Sequence, residues 1–187
     1  MKSPFNFIVT PVKGKRYSNT TNIGGMDFIT STSEENHHAS NREAIVIETP
    51  INYNGPIKIG DTLLVHHNVF KFYNDIKGRR KSGKSFLKDN LFLVDNEQFY
   101  LYKQNNKWHS HDRYCFVKPI DKLKSFIEKS FKNEPLMGEV VYPNDYLKSK
   151  DIKKGDRVCY TPDSEYEFKV DGEIMFRIYD HQITVKL

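Results

Sequence analysis

Very little in this chain points to covalent chemistry. Its 187 residues include two cysteines, Cys115 and Cys159, far apart and each inside an apolar strand pattern. Without a CxxC pair there is no redox dithiol and no common zinc framework, and two buried thiols are the expectation. No apolar run approaches the ~20 residues of a membrane helix, so no membrane partner is expected. The N-terminal stretch has neither an apolar h-region nor a small-residue cleavage site, and a soluble cytosolic protein is the expectation. Nucleophile motifs and distinctive carboxylate pairs are missing too. Neither an enzyme nor a cofactor-binding protein is therefore expected.

Two decoys fail on context. His66 and His67 fall on opposite faces of a strand, and His109 with His111 shares a face but has no third ligand placed by the sequence. GRRKSGKS, 78–85, meets the spacing of a phosphate-binding loop. Such a loop follows a buried strand and opens a helix, whereas FLKDNLFLV after Ser85 reads as strand and turn.

What the chain does have is aromatic and β-branched residues in short runs, with 13 Phe and 11 Tyr, which favours a sheet-rich protein. The net charge of +5 is unevenly spread. Lys71, Lys77, Arg79, Arg80, Lys81, Lys84 and Lys88 crowd into 70–88, with Asp75 the one acid before Asp89.

An internal repeat organises the rest. IKIGDTLLV at 57–65 returns as IKKGDRVCY at 152–160, and FIVTPV at 7–12 as CFVKPI at 115–120. EAIVIETP, from Glu43, matches GEVVYPND with Glu139 in the corresponding place. DNLFLVDNEQFYLY at 89–102 matches DGEIMFRIYDHQITVK at 171–186, setting Gln98 against Gln182. Asp89-Asn90 and Asp171-Gly172 read as hairpin turns, and Gly60-Asp61 and Gly155-Asp156 as tight turns launching a core strand. The expectation is two copies of one β domain, 1–104 and 113–187, joined by a polar linker at 105–112. Because closing a sheet removes its edges, each copy is expected to be a partly closed β-barrel, making the chain all-β.

Two insertions distinguish the first copy: the basic 70–88 and a polar segment at 17–41. The latter, around TTNIGGMDFITSTSEENHHASN, contains nothing that reads as a useful strand or helix, yet carries a Gly-Gly pair beside Met26, Phe28 and Ile29. The second copy has DKLKSFIEKSFK at 121–132 instead. There Leu123, Phe126, Ile127 and Phe131 fall at helical spacing after a capping Asp121, so a short helix is expected.

The order of strand ending in Pro, loop with Gly-Gly and apolar residues, strand, G-D turn and closing hairpin resembles the GroES-type co-chaperonin (chaperonin-10) family. KKGDRVCYTPDSEYEFKVDGEIMFRIYDHQITVKL is similar to that family's C-terminal half, and NIGGMDFI matches the position of its chaperonin-binding loop. The chain looks like a tandem form, and its Asn, Lys, Tyr and Phe usage suits an AT-rich phage or bacterial genome. Asp27 departs from the family's uninterrupted apolar triplet. The resemblance implies two GroES-like barrels, only the first with a mobile loop. Its chaperonin-binding residues would be Ile23, Gly24, Gly25, Met26, Phe28 and Ile29. The implied partners are an ATP-bound GroEL-type ring and an unfolded client in the closed chamber. A homo-oligomer is implied as well, seven copies being the number that suits a seven-fold ring. The readings set against this one are a duplicated structural β-barrel of a phage and a nucleic-acid-binding β-barrel that uses 70–88.

Overall fold

The computed structural model describes residues 1–17, 20–23, 26–29, 40–121 and 133–187, with 20–29 and the positions Arg80, Asp121 and Asn133 described as backbone alone. The chain divides into two compact units, Met1–Asn106 and Lys107–Leu187. The division falls at the turn Asn105-Asn106, where both residues take positive φ (47° and 62°).

Unit 1 contains β1 (Phe7–Pro11), β2 (Thr20–Ile23), β3 (Met26–Ile29), β4 (Glu43–Glu48), β5 (Thr62–Val65), β6 (Phe72–Asn74), β7 (Arg80–Ser82), β8 (Phe86–Lys88), β9 (Leu91–Val94) and β10 (Phe99–Gln104). Its main sheet runs β10-β5-β4-β1-β9-β8, while β2-β3 and β6-β7 form separate two-stranded sheets. Unit 2 contains β11 (Lys107–Ser110), β12 (Tyr114–Asp121), β13 (Asn133–Tyr142), the helix α1 (Asp145–Ser149), β14 (Arg157–Tyr160), β15 (Tyr166–Val170), β16 (Glu173–Tyr179) and β17 (Ile183–Lys186). Its sheet runs β15-β16-β12-β13-β14-β17.

The two orders are one topology. β1, β4, β5, β8, β9 and β10 correspond in turn to β12, β13, β14, β15, β16 and β17. Register fixes the match residue by residue. Pro11 lies opposite Ala44 and Val9 opposite Val46; Pro119 lies opposite Gly138 and Val117 opposite Val140. The counterpart of Glu139 is therefore Ile45, and Glu43 corresponds to Met137. The sequence pairing of Glu43 with Glu139 was displaced by two positions, one full strand period, so the apolar alternation still fitted.

The cores follow the same correspondence. Phe7, Val9, Val46, Leu63, Val65 and Val94 are buried in unit 1, and Cys115, Val117, Val140, Val158, Tyr160 and Ile178 in unit 2. Phe7 packs edge-on against Tyr53 and Phe99 at 5.0 and 5.5 Å between ring centres. The smaller Cys115 stands in its place and shares a cluster with Leu147 of α1. Both cysteines are free; Cys115 is buried and Cys159 partly so. Burial pushes the Cys115 thiol well above the ordinary range, as suits a packing residue.

The expectation of partly closed barrels is not met. Both main sheets are open: in unit 2 the end strands β15 and β17 do not pair with each other, and in unit 1 β8 does not pair back across the sheet. Closure protects strand edges, but at β15, one of the two edges of the unit 2 sheet, protection takes another form. On β15 the residues Glu167 and Lys169 are exposed between Phe168 and Val170, and charge blunts such an edge without closure.

The expected helix at 121–132 lies outside the described residues from 122 onward, and Asp121 is the last residue of β12 rather than a cap. The helix that is present, α1, begins at Asn144, whose Oδ1 accepts from the Leu147 amide at 2.8 Å. Residues 107–110, read from sequence as linker, form a strand. Trp108 is buried there and its Nε1 donates to Asp171 Oδ2 at 3.0 Å. Among the described residues no helix is long and apolar enough to cross a membrane.

Candidate partner-binding site

The six proposed contact residues sit in the connection from β1 to β4. Gly24 and Gly25 lie outside the described residues. The other four occupy two paired strands: Ile23 lies opposite Met26, Thr21 opposite Phe28 and Thr20 opposite Ile29. The sequence reading of this stretch as structureless needs correction for 20–23 and 26–29. Its missed signal is local: a Gly-Gly pair between short runs holding Thr, Ile and Phe is a hairpin pattern. Strand period also divides the apolar set. Positions 26 and 28 share one face, while 29 shares the other with 27.

A tied neck precedes and follows this hairpin. Tyr17 and Ser40 form an isolated antiparallel bridge, and the Asn41 amide donates to Arg16 O at 2.9 Å. The Asn41 side chain then closes the neck. Its Nδ2 donates to Val12 O at 3.0 Å and Lys15 O at 2.8 Å, and its Oδ1 accepts from the Glu43 amide at 2.9 Å. Asn90 Nδ2 donates to Gly14 O at 3.0 Å. These bonds hold Lys13 and Gly14 at positive φ, 59° and 68°, where Gly14 needs no side-chain relief. In unit 2 the matching connection, β12 to β13, is the one that contains 122–132.

The second insertion springs from the same place. Residues 66–85 join β5 to β8, where unit 2 has only 161–165. Arg16 holds its guanidinium over Phe72, Phe92 and Phe86 at 4.1, 4.7 and 5.0 Å from the ring centres. Its Nη1 donates to Ser82 Oγ at 3.0 Å. Tyr17 stacks on Phe72 at 6.1 Å with 17° between the rings, and its hydroxyl accepts from the Phe72 amide at 2.9 Å. Arg16, Tyr17 and Asn41 were not singled out in the sequence. Apart from the Asn41–Glu43 bond, their partners lie 23 to 76 residues away in the chain, beyond any local pattern.

At the far end of this insertion Asp75 builds the turn. Its Oδ1 accepts from the amides of Lys77 and Arg79, both at 2.9 Å, and its backbone O accepts from the Gly78 amide at 2.8 Å. The phosphate-loop spacing at 78–85 thus falls on a turn, strand β7 and then β8, with no helix to receive a phosphate. Among the described residues no three His, Cys, Asp or Glu side chains come together to hold a metal ion. His66 and His67 lie just past the end of β5 with their rings 4.1 Å apart and tilted by 32°, rather than on opposite faces of a strand. No protein-family model matches the chain, and no curated protein matches it in sequence. Geometry and side-chain chemistry therefore carry the functional argument.

Proposed function

We propose that the chain is a non-catalytic lid for an ATP-driven GroEL-type chaperonin ring, docking through the 17–41 segment and enclosing an unfolded client. The observation that supports this reading best is the placement of the hairpin β2-β3. It pairs only with itself among the described strands, apart from the main sheet, on a neck clamped by Asn41. The clamped neck fixes where the hairpin leaves unit 1. The reading rests on this placement and on the Gly-Gly-apolar sequence, and barrel closure has no part in it.

Met26 is unbranched and adapts to an irregular groove, while Phe28 and Ile29 supply buried apolar area at about 25 cal/mol/Å². One such contact is weak by itself, because a few side chains bury little apolar area. Several copies on one ring bind through effective concentration, so a homo-oligomer matching the ring, seven copies for a seven-fold ring, gives tight but reversible capping. ATP hydrolysis belongs to the ring, and the lid needs no catalytic group.

The test is co-sedimentation with a seven-fold bacterial chaperonin and ATP, for the intact chain and for a variant carrying Met26→Ser, Phe28→Ser and Ile29→Ser. ATP-dependent binding of the first and its loss in the second are expected. An intact oligomer that binds neither this ring nor its own host's would overturn the reading.

A further inference from the structure

We infer that the basic hairpin β6-β7 is the electrostatic half of the same docking surface, and that the partner protein carries carboxylates beside its apolar site. The inference rests on the reading of 17–41 as a protein-docking segment, and it adds the chemistry of the partner.

Both insertions peculiar to unit 1 share one root. Arg16 and Tyr17 belong to the neck of the first; Phe72 and Ser82 belong to the second, where they pair opposite each other. The stack, the two hydrogen bonds and the guanidinium over three rings bind the two roots together. Strand alternation then turns the next pair, Tyr73 and Lys81, to the opposite face, and both are exposed. Tyr73 is 54% exposed and Ile76, at the turn, is fully so. Lys77, Arg79, Lys81 and Lys84 of the same insertion are exposed as well, Lys81 directly opposite Tyr73.

This charge is poorly offset locally. Asp75 is committed to the turn amides and meets Arg79 only at 3.9 Å. Arg16, by contrast, is occupied with its rings and Ser82, so it holds the hairpin in place while the outer cations face solvent. Several like charges within one Debye length, about 8–10 Å, act together on an approaching anionic surface. A protein surface fits better than nucleic acid. Tracking a single strand takes successive aromatic platforms. The hairpin exposes one, Tyr73, with an aliphatic residue, Ile76, at its turn, and is rooted on the neck of the apolar segment.

The experiment measures association of the whole chain with the seven-fold chaperonin ring and ATP at about 0.05 M and about 0.5 M salt. The charge variant carries Lys77→Glu, Arg79→Glu and Lys81→Glu; a second variant with Gln at the same positions guards against misfolding. Wild-type association is expected to fall steeply with salt. The Glu variant should associate about tenfold more slowly at low salt, with the salt dependence flattened or reversed and dissociation little changed. The Gln variant should lie between. Wild-type rates in both variants, with binding lost in the Met26, Phe28 and Ile29 variant, would overturn this inference and leave the lid reading standing. Failure of the wild type to bind any ring would overturn both. Tight binding of a single-stranded oligonucleotide that the Glu variant loses, with ring association unchanged, would overturn it in favour of nucleic acid.

Discussion

Units 1 and 2 build their shared turns with the same bonds. In unit 1 the Lys58 amide donates to Asp61 Oδ2 at 2.7 Å, Gly60 N to Val46 O at 2.8 Å and Val46 N to Asp61 O at 2.9 Å. In unit 2 Lys153, Asp156, Gly155 and Val140 repeat these three bonds at the same distances. The shared glutamines agree as well. Gln98 accepts from Asp95 N through Oε1 and from His66 N through its carbonyl, and Gln182 does the same for Tyr179 N and Thr161 N. The units differ in their connections: α1 lies between β13 and β14 with no counterpart between β4 and β5, and unit 1 extends the hairpins β2-β3 and β6-β7 from a common root. The scaffold is thus held fixed by turn geometry while the connections are free to differ. That is the division of labour expected when loops on a rigid frame carry binding.

The largest expected difference between the units lies at Asp180. This buried carboxylate accepts from Arg113 Nη2 at 2.8 Å and Asn144 Nδ2 at 3.0 Å, whereas Asn96 occupies the matching, exposed position of unit 1. Burial alone would raise its pKa, but the bonds from Arg113 and Asn144 more than offset this and hold it below the usual value. A lowered folded pKa means the stabilisation is complete above the ordinary aspartate range, about pH 4, and lost as pH falls through the folded value. Asp180→Ala should destabilise unit 2 by about 3 kcal/mol, because it removes the charge-assisted bond to Arg113 and leaves the Asn144 amide only Asp112 O as acceptor. It should also reduce the acid sensitivity of unit 2 relative to unit 1, measured by amide NMR signals of each unit between about pH 3 and 7. Equal acid sensitivity of both units in the wild type would contradict this assignment.

Next comes the strand pair at the conserved topology. A Cβ on Gly138 would lie 2.9 Å from Val117 Cβ and 3.2 Å from Lys118 O, although unit 1 carries Ala44 at the same register. Gly138→Ala should cost about 2 kcal/mol through overpacking. Ala44→Gly should cost less, about 0.5–1 kcal/mol, from backbone entropy. Urea melts of the two variants would show the asymmetry, and a neutral Gly138→Ala would remove it.

The third expectation is symmetry. Gly60 and Gly155 take φ of 92° and 91° with open space where a Cβ would go, so only backbone strain resists a side chain. Gly60→Ala and Gly155→Ala should each cost about 1–2 kcal/mol, and by equal amounts. Unequal shifts in denaturant midpoint would mean the two turns are not energetically equivalent. Gln98→Ala and Gln182→Ala should cost about 0.5–1 kcal/mol each for the bond that both glutamines accept from a backbone amide, with Gln98→Ala also losing the 3.4 Å bond to Ser85 Oγ.

The residues that were legible in the sequence are those whose partners are near in the chain. Gly60-Asp61, Gly155-Asp156, Asp89-Asn90 and Asp171-Gly172 announce turns because the turn itself demands small or φ-permissive residues. Sheet closure was not legible, since the exposed Glu167 and Lys169 that protect an open edge look like ordinary alternation. The register of Glu139 was missed because a shift of two preserves the apolar face. The neck was missed for a different reason. Arg16, Tyr17 and Asn41 act through partners supplied by distant strands, and the sequence shows only the apolar bead that the neck presents.

Hydrogen–deuterium exchange of the whole chain, free and bound to the chaperonin ring with ATP, tests the central claim most directly. The account predicts new protection in 17–41 and 70–88 of unit 1, with the main sheets of both units and 122–132 unchanged. Protection centred on unit 2, or none in 17–41 under conditions where the ring is bound, would contradict it.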